Sequence, residues 1–278
     1  MPNYPTKTSR TPVGLIMEQE RLDEFDKTLF SPPSDRAVKV WRYMNYTSFM
    51  ALLNSGSLHL TRCDQFDDHF EGIVPEEDAR LQRDQYKDAL VNKSRLTPGQ
   101  LAEVLEKVWR KYQRHYVFIN CWHISSHESA ALWKLYGTAK ESIAIQTTYD
   151  RLREVLPASY QIGEVKYVDH ETYMNREKDG FFSIMFKRKS FQHERELRVC
   201  YVDAYEFQQD VKNPAEFFCP TNARLVETVP VDLNALVESV RIGPQTPDWF
   251  VKLVKDSVLR FGYNLPVSQS GLDNYPFG

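Results

Sequence analysis

A chain of 278 residues with 42% apolar, 26% charged and 13% aromatic side chains carries ample material for a folded core. Its formal net charge of −3 excludes a protein that coats nucleic acid by bulk electrostatics, while leaving room for a local basic patch. The 4 cysteines form no C-x-x-C pair, which argues against a zinc site or a disulfide framework and fits a reducing cytoplasm.

The opening residues, Met1 to Thr11, are rich in Pro, Thr and Ser and do not read as a signal peptide. Residues 1–35 are expected to form a tail with one short amphipathic helix around Ile16 to Phe30, closed by Ser31-Pro32-Pro33. Val38 to Tyr43 reads as a first strand. Thr47 is placed to cap a helix through Leu53, with Gly56 ending it, and Leu58 to Thr61 follows as a strand. Cys63 to Gly72 is a loop dense in acids and aromatics. Helical patterns cover Pro75 to Asn92 and Pro98 to Tyr112, the second with Leu101, Val104, Leu105, Val108, Trp109 and Tyr112 at helical spacing.

His115 to Trp122 is the next strand. Ser125-Ser126-His127-Glu128 has capping-box spacing and opens a helix through Trp133 to Tyr136 that Gly137 can stop. Ser142 to Thr147 and Gly163 to Val168 read as strands around a helix at Asp150 to Leu156. A helix at Asp179 to Phe186 leads into a strand ending at Val202. Leu225 to Pro230 and Val240 to Ile242 are short strands, and Thr246-Pro247 starts a last helix that closes near Phe261-Gly262. No internal repeat, low-complexity block or membrane-length apolar run is present, so no membrane partner is expected. The fold class expected is α+β: one domain over residues 36–278, with a twisted, mostly antiparallel sheet (continuous or split), flanking helices and a helical insertion at about 75–113.

The chemistry concentrates in a few clusters. In Ser190 to Val202 a charged run passes into a β-prone run with no turn residue between them. If it is extended throughout, Glu194, Glu196 and Arg198 line one face, and Arg195, Leu197 and Val199 the other. Charges at the edge of a core are paired or used, so the segment is either an ion-pair ladder or an active-site edge. Arg42, within Val40-Trp41-Arg42-Tyr43, needs an anion. An internal carboxylate such as Glu194 is one option, and a ligand diphosphate is the other.

The acid-rich run Asp64 to Gly72 does not follow calcium-loop spacing, because Phe66 and Phe70 stand where ligands belong. It reads better as a loop with aromatic anchors beside a cleft. Ser125 is an N-cap by default, and no G-x-S-x-G surrounds it. His123, His127 and His193 form no recognised ligand pair, so no metal is expected. There is also no Walker loop, dinucleotide glycine fingerprint or H-E-x-x-H.

As a set, Val40 to Tyr43, Leu52 to Leu58, Phe66 to Glu71, Cys121 to Ser125, Leu132 to Gly137 and Ser190 to Arg198 resemble the bacterial domain of unknown function 2971 family over most of Val38 to Ser270. The chain departs from that pattern in having His69 for a proline and Gln192 for a tryptophan. The order of parts also resembles ADP-ribosyltransferases: a basic residue on an early strand (Arg42), a serine-bearing strand (Ser125), and a Glu-x-Glu near a late strand (Glu194-Arg195-Glu196). The usual Ser-Thr-Ser is replaced by Ile124-Ser125-Ser126.

That resemblance implies an enzyme that cleaves the nicotinamide–ribose bond of NAD and transfers ADP-ribose to a protein or nucleic acid. Glu196 would stabilise the oxocarbenium-like centre, Glu194 would orient or deprotonate the acceptor, and Arg42 would hold the diphosphate. Tyr43, Trp133 or Tyr136 would stack on nicotinamide or adenine. Phe66, Asp68, Glu71 and Arg198 are further candidates. Two other classes compete: a metal-dependent nuclease or phosphodiesterase using Asp68, Glu71, Glu194 and Glu196, and a non-catalytic binding or sensor module.

Overall fold

The computed structural model describes residues 30–73, 113–136, 141–169, 180–203 and 223–273. The helices expected at 16–30, 75–92 and 98–112, the insertion they imply and the stop at Gly137 lie outside that set, apart from Phe30 and Gln113 at its margins.

In chain order the elements are β1 (Lys39–Asn45), α1 (Tyr46–Ser55), β2 (Ser57–Arg62), β3 (Val117–Ile124), α2 (Ala130–Tyr136) and β4 (Ser142–Thr148). They continue with α3 (Tyr149–Val155), β5 (Gln161–Glu164), β6 (Lys166–Val168), β7 (Phe186–Arg188), β8 (Glu196–Val202) and β9 (Val226–Pro230). The chain closes with α4 (Leu233–Leu236), β10 (Ser239–Ile242), α5 (Asp248–Arg260) and β11 (Val267–Gln269). This is the expected α+β class, with a mixed and mostly antiparallel sheet.

The spine of the sheet is β3. Along one edge it pairs with β8 over its whole length, from Val117 opposite Val202 to His123 opposite Glu196. Its other edge is shared: β1 takes the C-terminal end (Val40 opposite Ile124, Trp41 opposite His123), and β2 takes the N-terminal end (Thr61 opposite Ile119, Arg62 opposite Phe118). Beyond those contacts β1 turns away to pair with β4, and β2 with β9. The sheet therefore splits at the middle of β3. The Asn120 amide bridges part of the opening by donating to the His59 carbonyl at 2.8 Å.

Helix α1 spans the split, because the chain must cross it between β1 and β2. Its cap is Asn45, whose side chain accepts from Ser48 N at 2.8 Å, and not Thr47 as expected. At the other end Gly56 adopts φ +57 and donates to Leu52 O, as the sequence implied.

Alternation assigns the faces. Val40, Met44, Phe118, Trp122, Ile124, Leu197 and Val199 join the main core with Phe49, Leu52 and Leu53 of α1 and Phe250, Val254 and Val258 of α5. The opposite face is covered in two patches. Trp41, Tyr43 and Ala144 pack under Leu132 and Trp133 of α2, while Val117, Ile119 and Cys200 pack under Ile184, Met185 and Phe186.

The expected capping box is absent. Ser129 is the residue whose hydroxyl accepts from Leu132 N, at 3.3 Å, and Glu128 turns away to Trp133 Nε1 at 3.1 Å and Gly271 N at 3.1 Å. The helix expected at Asp179 to Phe186 is instead a 3-10 turn over Gly180–Met185 followed by β7. No helix among the described residues is long and apolar enough to cross a membrane.

Candidate active site

The segment from Ser190 is not one continuous strand. Lys189–Glu194 forms a 3-10 turn, Arg195 adopts φ +40, and β8 begins only at Glu196. The left-handed region is uncommon for a residue with a side chain, so Arg195 marks a sharp reversal held from outside. Its carbonyl accepts from Ile124 N at 2.8 Å, which ties the reversal to β3. Glu196 and Arg198 do share a face by strand alternation. Glu194 reaches the same place through the reversal.

Both glutamates meet Lys187, which the short strand β7 brings in. Its Nζ lies 2.6 Å from Glu194 Oε2, 2.5 Å from Glu196 Oε1 and 3.8 Å from Glu71 Oε2. Arg198 completes the group: Nε donates to Glu196 Oε2 at 2.6 Å, and one terminal nitrogen to Glu71 Oε1 at 2.5 Å and to Ile184 O. Glu71, Lys187, Glu194, Glu196 and Arg198 are all buried. Three carboxyls thus face two cations, and the excess negative charge is removed most cheaply by a proton on one carboxyl.

Burial favours Glu194 as the carboxyl that carries it. Burial, followed by its hydrogen bond to Glu196, pushes its pKa up to about 7 against the pull of Lys187. Burial acts on Glu196 in the same direction, but Arg198, Glu194 and Lys187 together outweigh it and hold Glu196 well below the ordinary carboxylate range. Two adjacent carboxyls driven apart in this way give one permanent anion and one group able to exchange a proton near neutrality.

The neighbours share the face. His123 donates from Nδ1 to the Glu194 carbonyl at 2.6 Å, which fixes the neutral tautomer with Nε2 unprotonated. Burial lowers its pKa, and Arg195, His127 and His193 lower it further. Tyr167 accepts from Glu196 N at 2.9 Å. Tyr136 is 46% exposed, yet burial, followed by the charges of Glu194, Cys121 and Glu196, raises the pKa of its hydroxyl.

The remaining sequence candidates fall elsewhere. Arg42 lies on the main-core face, between Val40 and Met44, opposite to the face of Glu194 and Glu196, and no carboxylate among the described residues pairs with it. The expected Arg42–Glu194 partnership is therefore not formed, since Glu194 is committed to Lys187 on the other side of the sheet. Tyr43 and Trp133 are buried at an edge-to-face angle, with centroids 4.9 Å apart, and their polar atoms are engaged by Ser129 N and Glu128. They support the wall and offer no open ring to a base.

Ser125 is buried in a turn, where its carbonyl accepts from Trp41 Nε1 at 2.9 Å and its hydroxyl accepts from His127 N at 3.3 Å. Asp68 holds Arg188 at 2.8 Å and Phe70 N at 3.0 Å, apart from the cluster. Phe66 packs against the smaller core. The convergence of Asp68, Glu71, Glu194 and Glu196 that a metal nuclease requires does not occur, because the Lys187 ammonium and Arg198 guanidinium already occupy the space between the last three.

Lys187 is the residue that sequence reading missed. The surplus of acids over Arg198 was the available signal for a further cation, but a three-residue strand gives no periodicity by which to find it. Neither a scan of protein-family models nor a search of curated proteins returns a match to this chain.

Proposed function

We propose that this protein is an ADP-ribosyltransferase-like enzyme that cleaves the nicotinamide–ribose bond of NAD and passes ADP-ribose to a protein or nucleic-acid acceptor. Glu194 is its working carboxyl. The observation that supports this reading is the pairing of a protonatable Glu194 with an ionised Glu196, whose charges are felt by the partly exposed Tyr136. In this scheme ionised Glu194 takes a proton from the acceptor hydroxyl, the acceptor oxygen bonds the ribose C1′, and the C1′–N bond breaks to release neutral nicotinamide. Tyr136 is the aromatic surface available to a ring of the substrate.

The roles differ from those expected of the Glu-x-Glu pair. Both Glu196 oxygens are taken by Lys187 and Arg198, so Glu196 sets the field around Glu194 and does not meet the sugar. Release of nicotinamide from NAD by the purified protein, compared with Glu194→Gln, tests the reading. Loss of roughly 10²–10⁴-fold in rate with the fold retained is expected, the range typical of a removed general base. Absence of both NAD binding and nicotinamide release in the wild type overturns it. The complete pairing of Glu196 favours a second reading, a binding module with a structural ion network, in which both glutamate variants lower stability and no turnover exists.

A further inference from the structure

We infer that the notch where the sheet splits, between β1 and β2 over the middle of β3, binds a small oxyanion that carries its own O–H, the chemistry of dihydrogen phosphate. Three side chains define it. Because Trp41 stands opposite His123, Arg42 falls one position further on, across from Trp122, and Asn120 lies two residues along on the same face of β3. Among the described residues, half-buried Arg42 has no hydrogen-bond or ion-pair partner. The Trp122 Nε1 and Asn120 Oδ1 atoms are buried with no hydrogen-bond partner.

Buried atoms such as these two are seldom left so in a folded protein, since each has given up water without replacement. The orientation of the Asn120 amide is fixed by chemistry. Its nitrogen donates to the His59 carbonyl at 2.8 Å, a bond that the amide oxygen cannot make, so Oδ1 is the free end. The His59 ring lies against Ser55 Oγ at 3.2 Å, and burial and then the charge of Arg42 lower its pKa toward the neutral form.

The unmet demands specify the ligand. Arg42 and Trp122 offer only donors, so they call for an anion with acceptor oxygens, and a guanidinium matches an oxyanion in paired geometry. Asn120 Oδ1 calls for a donor on the same molecule. Phosphate near neutrality supplies both, whereas sulfate supplies acceptors alone. The site lies on the opposite face of the sheet from Glu194 and does not depend on the proposed transferase reading.

Calorimetric titration at pH 7 and matched ionic strength, using inorganic phosphate and sulfate as probes with tryptophan fluorescence as a second signal, tests the site. Phosphate is expected to bind at least tenfold more tightly than sulfate. Arg42→Gln should weaken phosphate at least tenfold, Trp122→Phe should weaken it several-fold, and Glu194→Gln should leave it unchanged. Arg42→Met should melt above the wild type without ligand, because it removes a charge that has no counter-ion among the described residues. Equal affinity for the two anions, no detectable phosphate binding, or wild-type binding by Arg42→Gln overturns the inference. If the Arg42 variants fail to fold, the wild-type preference between the anions and Trp122→Phe decide it.

Discussion

Glu194 and Glu196 stand on either side of one residue, yet their carboxyls reach the same ammonium, at 2.6 and 2.5 Å from Lys187 Nζ. Alternation along a strand would explain two carboxyls on one face. Here it explains only Glu196. Glu194 arrives because Arg195 reverses the chain at φ +40, and that reversal brings both acids onto one ammonium.

Removing the Glu196 charge should be expensive. In Glu196→Gln, Lys187 and Arg198 keep their positive charges and lose the anion between them, and breaking one side of a buried pair costs on the order of 3–5 kcal/mol. Urea titration is expected to show that loss. A variant as stable as the wild type would mean that water reaches the cluster freely.

Glu194 gives the opposite sign with pH. Its folded pKa of about 7 lies above the ordinary value of 4.5, so between those two pH values the folded state holds a proton that the unfolded chain has released. Stability from this group is therefore full below about pH 4.5 and is lost as pH rises through about 7. Glu196 runs the other way, because its lowered pKa contributes stability above the ordinary carboxylate range that is lost on acidification. Melting temperatures measured from pH 4.5 to 8 should fall for the wild type, with a flatter profile for Glu194→Gln. Parallel profiles would remove Glu194 as the group that holds the proton.

Arg195 offers a local test of the reversal. A left-handed backbone costs a residue with a side chain about 1–2 kcal/mol, and glycine gives back roughly 0.5–1 kcal/mol of that through its freer unfolded chain. Arg195→Gly is expected to be neutral or up to about 1 kcal/mol more stable, while Arg195→Val should be clearly destabilised. Denaturant midpoints of the two variants make the comparison. A destabilised glycine variant would show that the exposed Arg195 side chain has a role that the backbone does not explain.

Much of the frame was legible because short-range chemistry determines it. Gly56 ends α1 where its missing Cβ permits φ +57, and β1, β2, β4 and β10 follow apolar runs to within a residue or two. Glu196 and Arg198 share a face because a strand alternates. The rest depended on partners remote in sequence. Glu128 matched a capping box at Ser125, but a stronger set of donors in Trp133 and Gly271 drew it away. Arg42 looked like the partner of Glu194, and only the strand order shows that a whole sheet separates them. Nothing local marks Lys187, whose importance comes from three acids contributed by other segments.

The ion cluster also bears on the order in which this chain can fold. Glu71 and Arg198 lie 127 residues apart, so their contact closes a long loop. A partly assembled group would leave a stripped charge without its counter-ion, so early closure earns nothing. The zipping of β3 against β8 must come first, because it places Arg198 and Glu196 on the face where the others dock. The loop through Glu71 then closes as a late latch. Kinetically, substitutions at Glu71 should speed unfolding and leave refolding nearly untouched.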